Sequence, residues 1–199
     1  RQLMHSGADK VCFNQAALHN PDLIRQTAQM FGEQCVVASI DSITTRFGPR
    51  VFDYLTASVM DESPAEMARR MQDFGAGEIL INSVDRDGSR TGFDLELASS
   101  VSNSVTLPVI CCGGAGSAAH FAEIMRDTGV CAAAAANFFH FTEHSVTTVK
   151  ALLSRELHVR HESYASYVDA CFDNDGRLLK KPDQELERMR FVIIEKEVI

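Results

Sequence analysis

Residues 75–88 read Gly-Ala-Gly-Glu-Ile-Leu-Ile-Asn-Ser-Val-Asp-Arg-Asp-Gly: small residues, a short apolar run, then an abrupt charged corner. The run from Ile79 to Val84 has the length and β-branched content of a strand buried on both faces, as parallel sheets require. Similar runs recur at residues 9–14, 35–40, 108–112 and 131–136, each followed by a polar or glycine-bearing corner. Their spacing of about thirty residues leaves room for one helix between successive strands, which is the rhythm of a parallel α/β fold. The segments 7–10 and 75–78 share a form, small residues and then a charge opening a strand, as equivalent βα units would. A complete eightfold barrel takes roughly 200–250 residues. The expected fold is therefore an incomplete (βα)8 TIM barrel, with about five βα units over residues 1–156 and an extension over 157–199. Because the sequence opens on Arg1 inside a helix-like stretch, it is expected to be a piece of a longer protein.

Local signals mark the helices between the strands. Gly7 stops a first helix, and Asn20-Pro21 opens another, with Asn20 as cap and Leu23, Ile24, Ala28 and Phe31 at helical spacing up to Gly32. Ser63-Pro64-Ala65-Glu66 is a capping box with proline at the first helical position, and Met67, Met71 and Phe74 continue an apolar stripe. Residues 95–101 form a further helix. Ser117 caps the helix that carries Phe121, Ile124 and Met125, and residues 146–153 form the last one. Residues 42–57 show no clear period and suit a functional loop or small hairpin. In the extension, residues 173–176 (Asp-Asn-Asp-Gly) make a turn rather than a calcium loop, since Pro182 falls where the bidentate glutamate belongs. His158, His161, Tyr164, Tyr167 and an apolar stretch at 191–194 complete it.

The net charge of −8 and pI near 5.3 exclude partners that demand a basic surface, namely duplex nucleic acid and anionic membranes. A phosphate on a small substrate remains compatible, because a few backbone amides hold one. The six cysteines, Cys12, Cys35, Cys111, Cys112, Cys131 and Cys171, form no C-x-x-C pair and read as buried thiols in a reducing cytoplasm. No apolar run reaches the roughly 18 residues of a membrane span.

Alternation along the strands sorts side chains by face. Lys10, Cys12 and Asn14 share one face, as do Val37, Ser39 and Asp41, and Glu78, Leu80, Asn82 and Val84. Polar members in every set suggest a polar passage along the barrel axis. Asp41, at the end of its strand, is a candidate general acid/base if its strand end lies at the barrel mouth; its alternative role is to cap the next loop. Asp87-Gly88, Gly113-Gly114 and Ala136-Asn137 follow strand ends and suit a phosphate site, glycine allowing close approach of the backbone to an anion. Lys10 and Glu78 open their strands at the opposite rim, either as a solvated pair or as a gate. His140 and His144 lie four residues apart, but no third metal ligand accompanies them.

Taken together, these motifs resemble the cyclase subunit of imidazole glycerol phosphate synthase. The likeness is carried by residues 7–11, 75–80, 83–88, 113–116 and 139–141 in their order and spacing, and covers about residues 1–156. The resemblance implies a (βα)8 barrel that receives ammonia along its axis from a glutaminase subunit docked at the lower face. Ammonia then attacks a phosphorylated ribulosyl-formimino nucleotide, which cyclises and cleaves. It implies an acid/base role for Asp41, phosphate binding by Asn14 on one side and by Asp87, Gly88, Gly114, Ala136 and Asn137 on the other, and an ammonia gate of Lys10 and Glu78 with Asn82 in the channel. No cofactor or metal is implied. The sequence departs from the family in lacking the first three strands, with their second catalytic aspartate. It also carries Asn82 and Asn137 where hydroxyl residues are usual. Residues 134–145 look more like paralogues found with surface-polysaccharide genes, which implies an alternative role as an ammonia conduit for a sugar amidotransferase.

Overall fold

The computed structural model of the protein describes residues 1–159, 169–174 and 176–188. Its elements run α1 (Gln2–His5), β1 (Val11–Phe13), α2 (Gln15–His19), α3 (Asp22–Phe31), a 3-10 turn (Glu33–Cys35), β2 (Val36–Thr45), β3 (Gly48–Asp53) and β4 (Ser58–Val59). They continue α4 (Pro64–Asp73), β5 (Glu78–Ser83), α5 (Leu95–Ser102), β6 (Val109–Cys112), α6 (Ala118–Asp127), β7 (Ala132–Ala134), α7 (Asn137–Phe141), α8 (Ser145–Leu153) and α9 (Asp183–Leu186). His161, Tyr164, Tyr167 and the apolar stretch 191–194 lie outside the described residues.

Five strands, β1-β2-β5-β6-β7, pair parallel in chain order, and a helix covers each crossover. This is an incomplete (βα)8 barrel of five units. The strands alternate as a barrel wall does. In β5, Ile79, Ile81 and Ser83 are buried towards the helices, while Glu78, Leu80 and Asn82 face the axis and are only partly covered. The core lies between sheet and helices, where Ile24, Ile40, Met67, Met71, Ile79 and Ile124 are fully buried.

The capping box forms as the sequence dictates: the Ser63 hydroxyl accepts from the Glu66 amide and the Glu66 carboxylate accepts from the Ser63 amide. Two other expected caps do not. Asn20 makes no capping bond, because Pro21 occupies the cap position of α3, and Ser117 precedes α6 without its side chain bonding the first turn. The extra helix α2 follows β1 directly, a turn too short for periodicity to announce.

Two further expectations need correction. β2 does not stop at Ile40 but runs to Thr45, so Asp41 sits within the strand; its last residues pair antiparallel with β3, the hairpin foreseen in residues 42–57. Ser42 pairs both with Ser83 of β5 and with Val51 of β3, so β3 lies along the same edge of β2 as β1. Nor are the cysteines uniformly buried. Cys111 is enclosed, and its thiol is pushed up to about 12 by burial, whereas Cys12, Cys131 and Cys171 are exposed. Cys12 lies on β1, whose outer edge has no strand partner among the described residues. Of the extension, an antiparallel bridge between Phe172 and Leu178 encloses the expected turn, with Gly176 at φ +74°.

Candidate active site

Register places the polar axial residues in layers. Asp41 pairs with Asn82, Asn82 with Cys112, and Cys112 with Ala134, so these four lie side by side across four strands. Asn82 Nδ2 donates to Asp41 Oδ1 at 3.0 Å, and Asn14 Nδ2 donates to Asp41 Oδ2 at 3.0 Å from the other side. Asn14 is also 3.4 Å from the Ser39 hydroxyl. Each carboxylate oxygen therefore has one carboxamide donor, and the two fix the orientation of the carboxylate between β1 and β5. The Asn82 Oδ1 atom is buried and has no hydrogen-bond partner among the described residues, leaving one acceptor beside the carboxylate.

The glycine corners adjoin this layer. A Cβ at Gly113 would lie 2.5 Å from the Ser83 carbonyl oxygen and 3.1 Å from Asn82 Oδ1, so only glycine lets the chain turn so close to the layer. Gly113 and Gly114 line a small depression with Asp87, Gly88, Ala136 and Asn137. There Asn137 Nδ2 lies 3.2 Å from where a Gly88 Cβ would be. Cys112 connects the two parts. Burial raises its thiol pKa, and the charges of Asp87 and Asp41 raise it further against a hydrogen bond from the Gly113 amide, so it stays a thiol at neutral pH. Asp41 and the glycine-lined depression thus share one mouth.

At the other end of the strands, Lys10 and Glu78 form an ion pair that spans the axial face of β2. Glu78 pairs in register with Val37, and β1 flanks β2 on the opposite side, so the bridge closes over that strand. His140 and His144 do not share a helix. His140 lies in the last turn of α7, while His144 is the left-handed residue (φ +51°) preceding α8. Among the described residues no group of three or more His, Cys, Asp or Glu converges as a metal site would. No helix among them is long and apolar enough to cross a membrane.

Two contacts at the mouth had no sequence signal. Asp85 Oδ2 accepts from the Thr44 amide at 2.5 Å, tying the corner after β5 to the hairpin. Asp53 of β3, 2% exposed, accepts from the Thr56 hydroxyl at 2.8 Å and the Leu55 amide at 2.9 Å, with His19 Nε2 3.1 Å away. Both bridges join segments that are distant in sequence, and periodicity within one segment carries no trace of them.

Residues 1–145 match the profile of the histidine biosynthesis protein family. The chain belongs to that family. Among curated relatives, a Vibrio vulnificus (strain YJ016) protein named as imidazole glycerol phosphate synthase subunit hisF2 is 42% identical over 178 residues, covering 89% of this chain and 65% of that protein. Imidazole glycerol phosphate synthase subunits HisF of Clostridium botulinum, strain 657 (type Ba4) and strain Langeland (type F), are 40% and 41% identical over 158 residues, 78% of this chain and 62% of theirs. The chain thus spans a little under two thirds of the length of these relatives. The family match ends within the last barrel unit, at the start of α8.

Proposed function

We propose that this chain is the major part of an imidazole glycerol phosphate synthase cyclase subunit, acting in histidine biosynthesis in the cytoplasm without bound metal or cofactor. A phosphorylated ribulosyl-formimino aminoimidazole carboxamide ribotide would lie across the mouth. One phosphate would rest near Asn14 and the other on Asp87, Gly88, Gly114, Ala136 and Asn137. Ammonia from a glutaminase subunit at the lower face would pass the Lys10–Glu78 bridge and travel up the axial face past Asn82. Asp41 would move the protons of ring closure and cleavage, a task that requires a carboxylate within reach of the reacting atoms. Residues 1–156 form the barrel domain in this reading, and residues 157–199 a separate extension.

The observation that carries the reading is Asp41, held on both oxygens by Asn14 and Asn82 beside a glycine-lined depression. The test uses the full-length protein with the nucleotide and an ammonium salt, so that no glutaminase is needed. Turnover that disappears in Asp41→Asn, with folding intact, is the expected outcome.

A second reading has its own support. The match to the Vibrio protein runs 178 residues against 158 for the Clostridium subunits, and Asn82 and Asn137 stand where hydroxyls are usual. In that reading the protein passes ammonia to a sugar amidotransferase and does not cyclise. Absence of turnover from a folded full-length protein supplied with ammonium would favour it.

A further inference from the structure

Beside the glycine-lined depression, a separate cavity of about 530 Å³ opens between the starts of α6 and α8 and residues 176–178. Arg90 and Arg177 line it from separate loops, and neither guanidinium makes an ion pair among the described residues. Glu143 is the one acidic residue in its lining, beside His144. The first turn of α6 supplies donors. Ser117 leaves that turn uncapped, and the amides of Ala118 and Ala119 have no acceptor among the described residues.

Thr148 adds an independent sign. It is 4% exposed and lines the cavity, yet its hydroxyl has no hydrogen-bond partner among the described residues. Thr27 of α3, by contrast, bonds back one turn to the Leu23 carbonyl at 2.8 Å. The hydroxyl keeps contact with the cavity and is free to donate to a ligand atom there. The loop geometry serves the same space. A Cβ at Gly116 would lie 2.3 Å from the Arg90 carbonyl oxygen, so glycine there lets Arg90, at φ +62°, lie against the approach to α6.

We propose that this cavity binds the phosphate group of a small phosphorylated metabolite, through the α6 amides, the Thr148 hydroxyl, Arg90 and Arg177. It is a site apart from the depression between Gly88 and Asn137, with Phe138 lining both. Because Arg177 belongs to the extension, an occupied site couples that extension to the barrel.

The experiment titrates inorganic phosphate into the 15N-labelled full-length protein at constant ionic strength. The amides of Ala118, Ala119 and Thr148 are expected to shift together and saturably. In the double variant Arg90→Ala, Arg177→Ala the same response should weaken at least about tenfold, since two charge-assisted contacts are lost. Thr148→Val, close in shape, should weaken it severalfold with the remaining spectrum unchanged. No shift at Ala118 and Ala119, or equal affinity in the double variant, overturns the proposal. Shifts at Gly88 and Gly114 report the mouth separately, so the two sites succeed or fail independently.

Discussion

Gly114 occupies φ +103°, a conformation side chains rarely adopt, and an added Cβ would lie 2.1 Å from the Gly92 carbonyl oxygen. The Gly92 amide in turn donates to the Gly114 carbonyl at 2.8 Å, so two mouth loops meet backbone to backbone. Gly114→Ala is expected to cost about 2–4 kcal/mol, summing backbone strain and overpacking, as read from a urea midpoint. Gly7→Ala is the control: φ is +95° there too, but no atom lies within 4 Å of the new Cβ, so strain alone of about 1 kcal/mol applies. Asp53 permits a pH test. Burial raises its pKa, but hydrogen bonds from the Thr56 hydroxyl and the Leu55 and Thr56 amides, with the nearby His19, outweigh burial and leave it below the ordinary value. A carboxyl lowered on folding stabilises above its unfolded pKa, about 3.9, and loses that contribution as pH falls through its folded value. Asp53→Asn should therefore be less stable at neutral pH, and its stability should fall less than that of the parent on acidification below about pH 4, checked by chemical denaturation across pH.

At the scale of elements, the helix α4 rests on two devices that differ in how visible they are. Its capping box is local, and Ser63→Ala should cost about 1 kcal/mol and lower the thermal midpoint by a few degrees in a calorimetric scan. Its second support, Arg70 bidentate on Glu62 at 2.9 and 2.6 Å, anchors the connection between β4 and α4 and depends on the fold being complete. The same division explains what could be read from the residues. Strand faces were legible, since period-two alternation put Asn14, Asp41 and Asn82 inward before any contact was known. The length of β2 was not, because Ser42 to Thr45 is a strand only by pairing with residues further along. Caps at Asn20 and Ser117 failed for a related reason: the residue type allows a cap, but the approach of the preceding chain decides whether one forms.

For the whole molecule, the sheet edges dominate. β7 presents an edge without a strand partner among the described residues, beside an apolar groove lined by Met125, Phe139, Val146 and Leu153. The outer edge of β1 is likewise open, next to a groove containing Leu3, Phe13, Leu23 and Phe31. Unpaired edges with apolar flanks recruit other strands. The 199 residues by themselves are expected to self-associate in light scattering; a monodisperse monomer would contradict this. The barrel order was legible in the spacing of strands, whereas exposure of Cys12 and Cys131 was not, since it follows from which strands have neighbours. The unbroken course of β2 has a mechanical effect as well. A carboxylate mounted this way is seated by the ladder of paired strands and not by a connection free to drift.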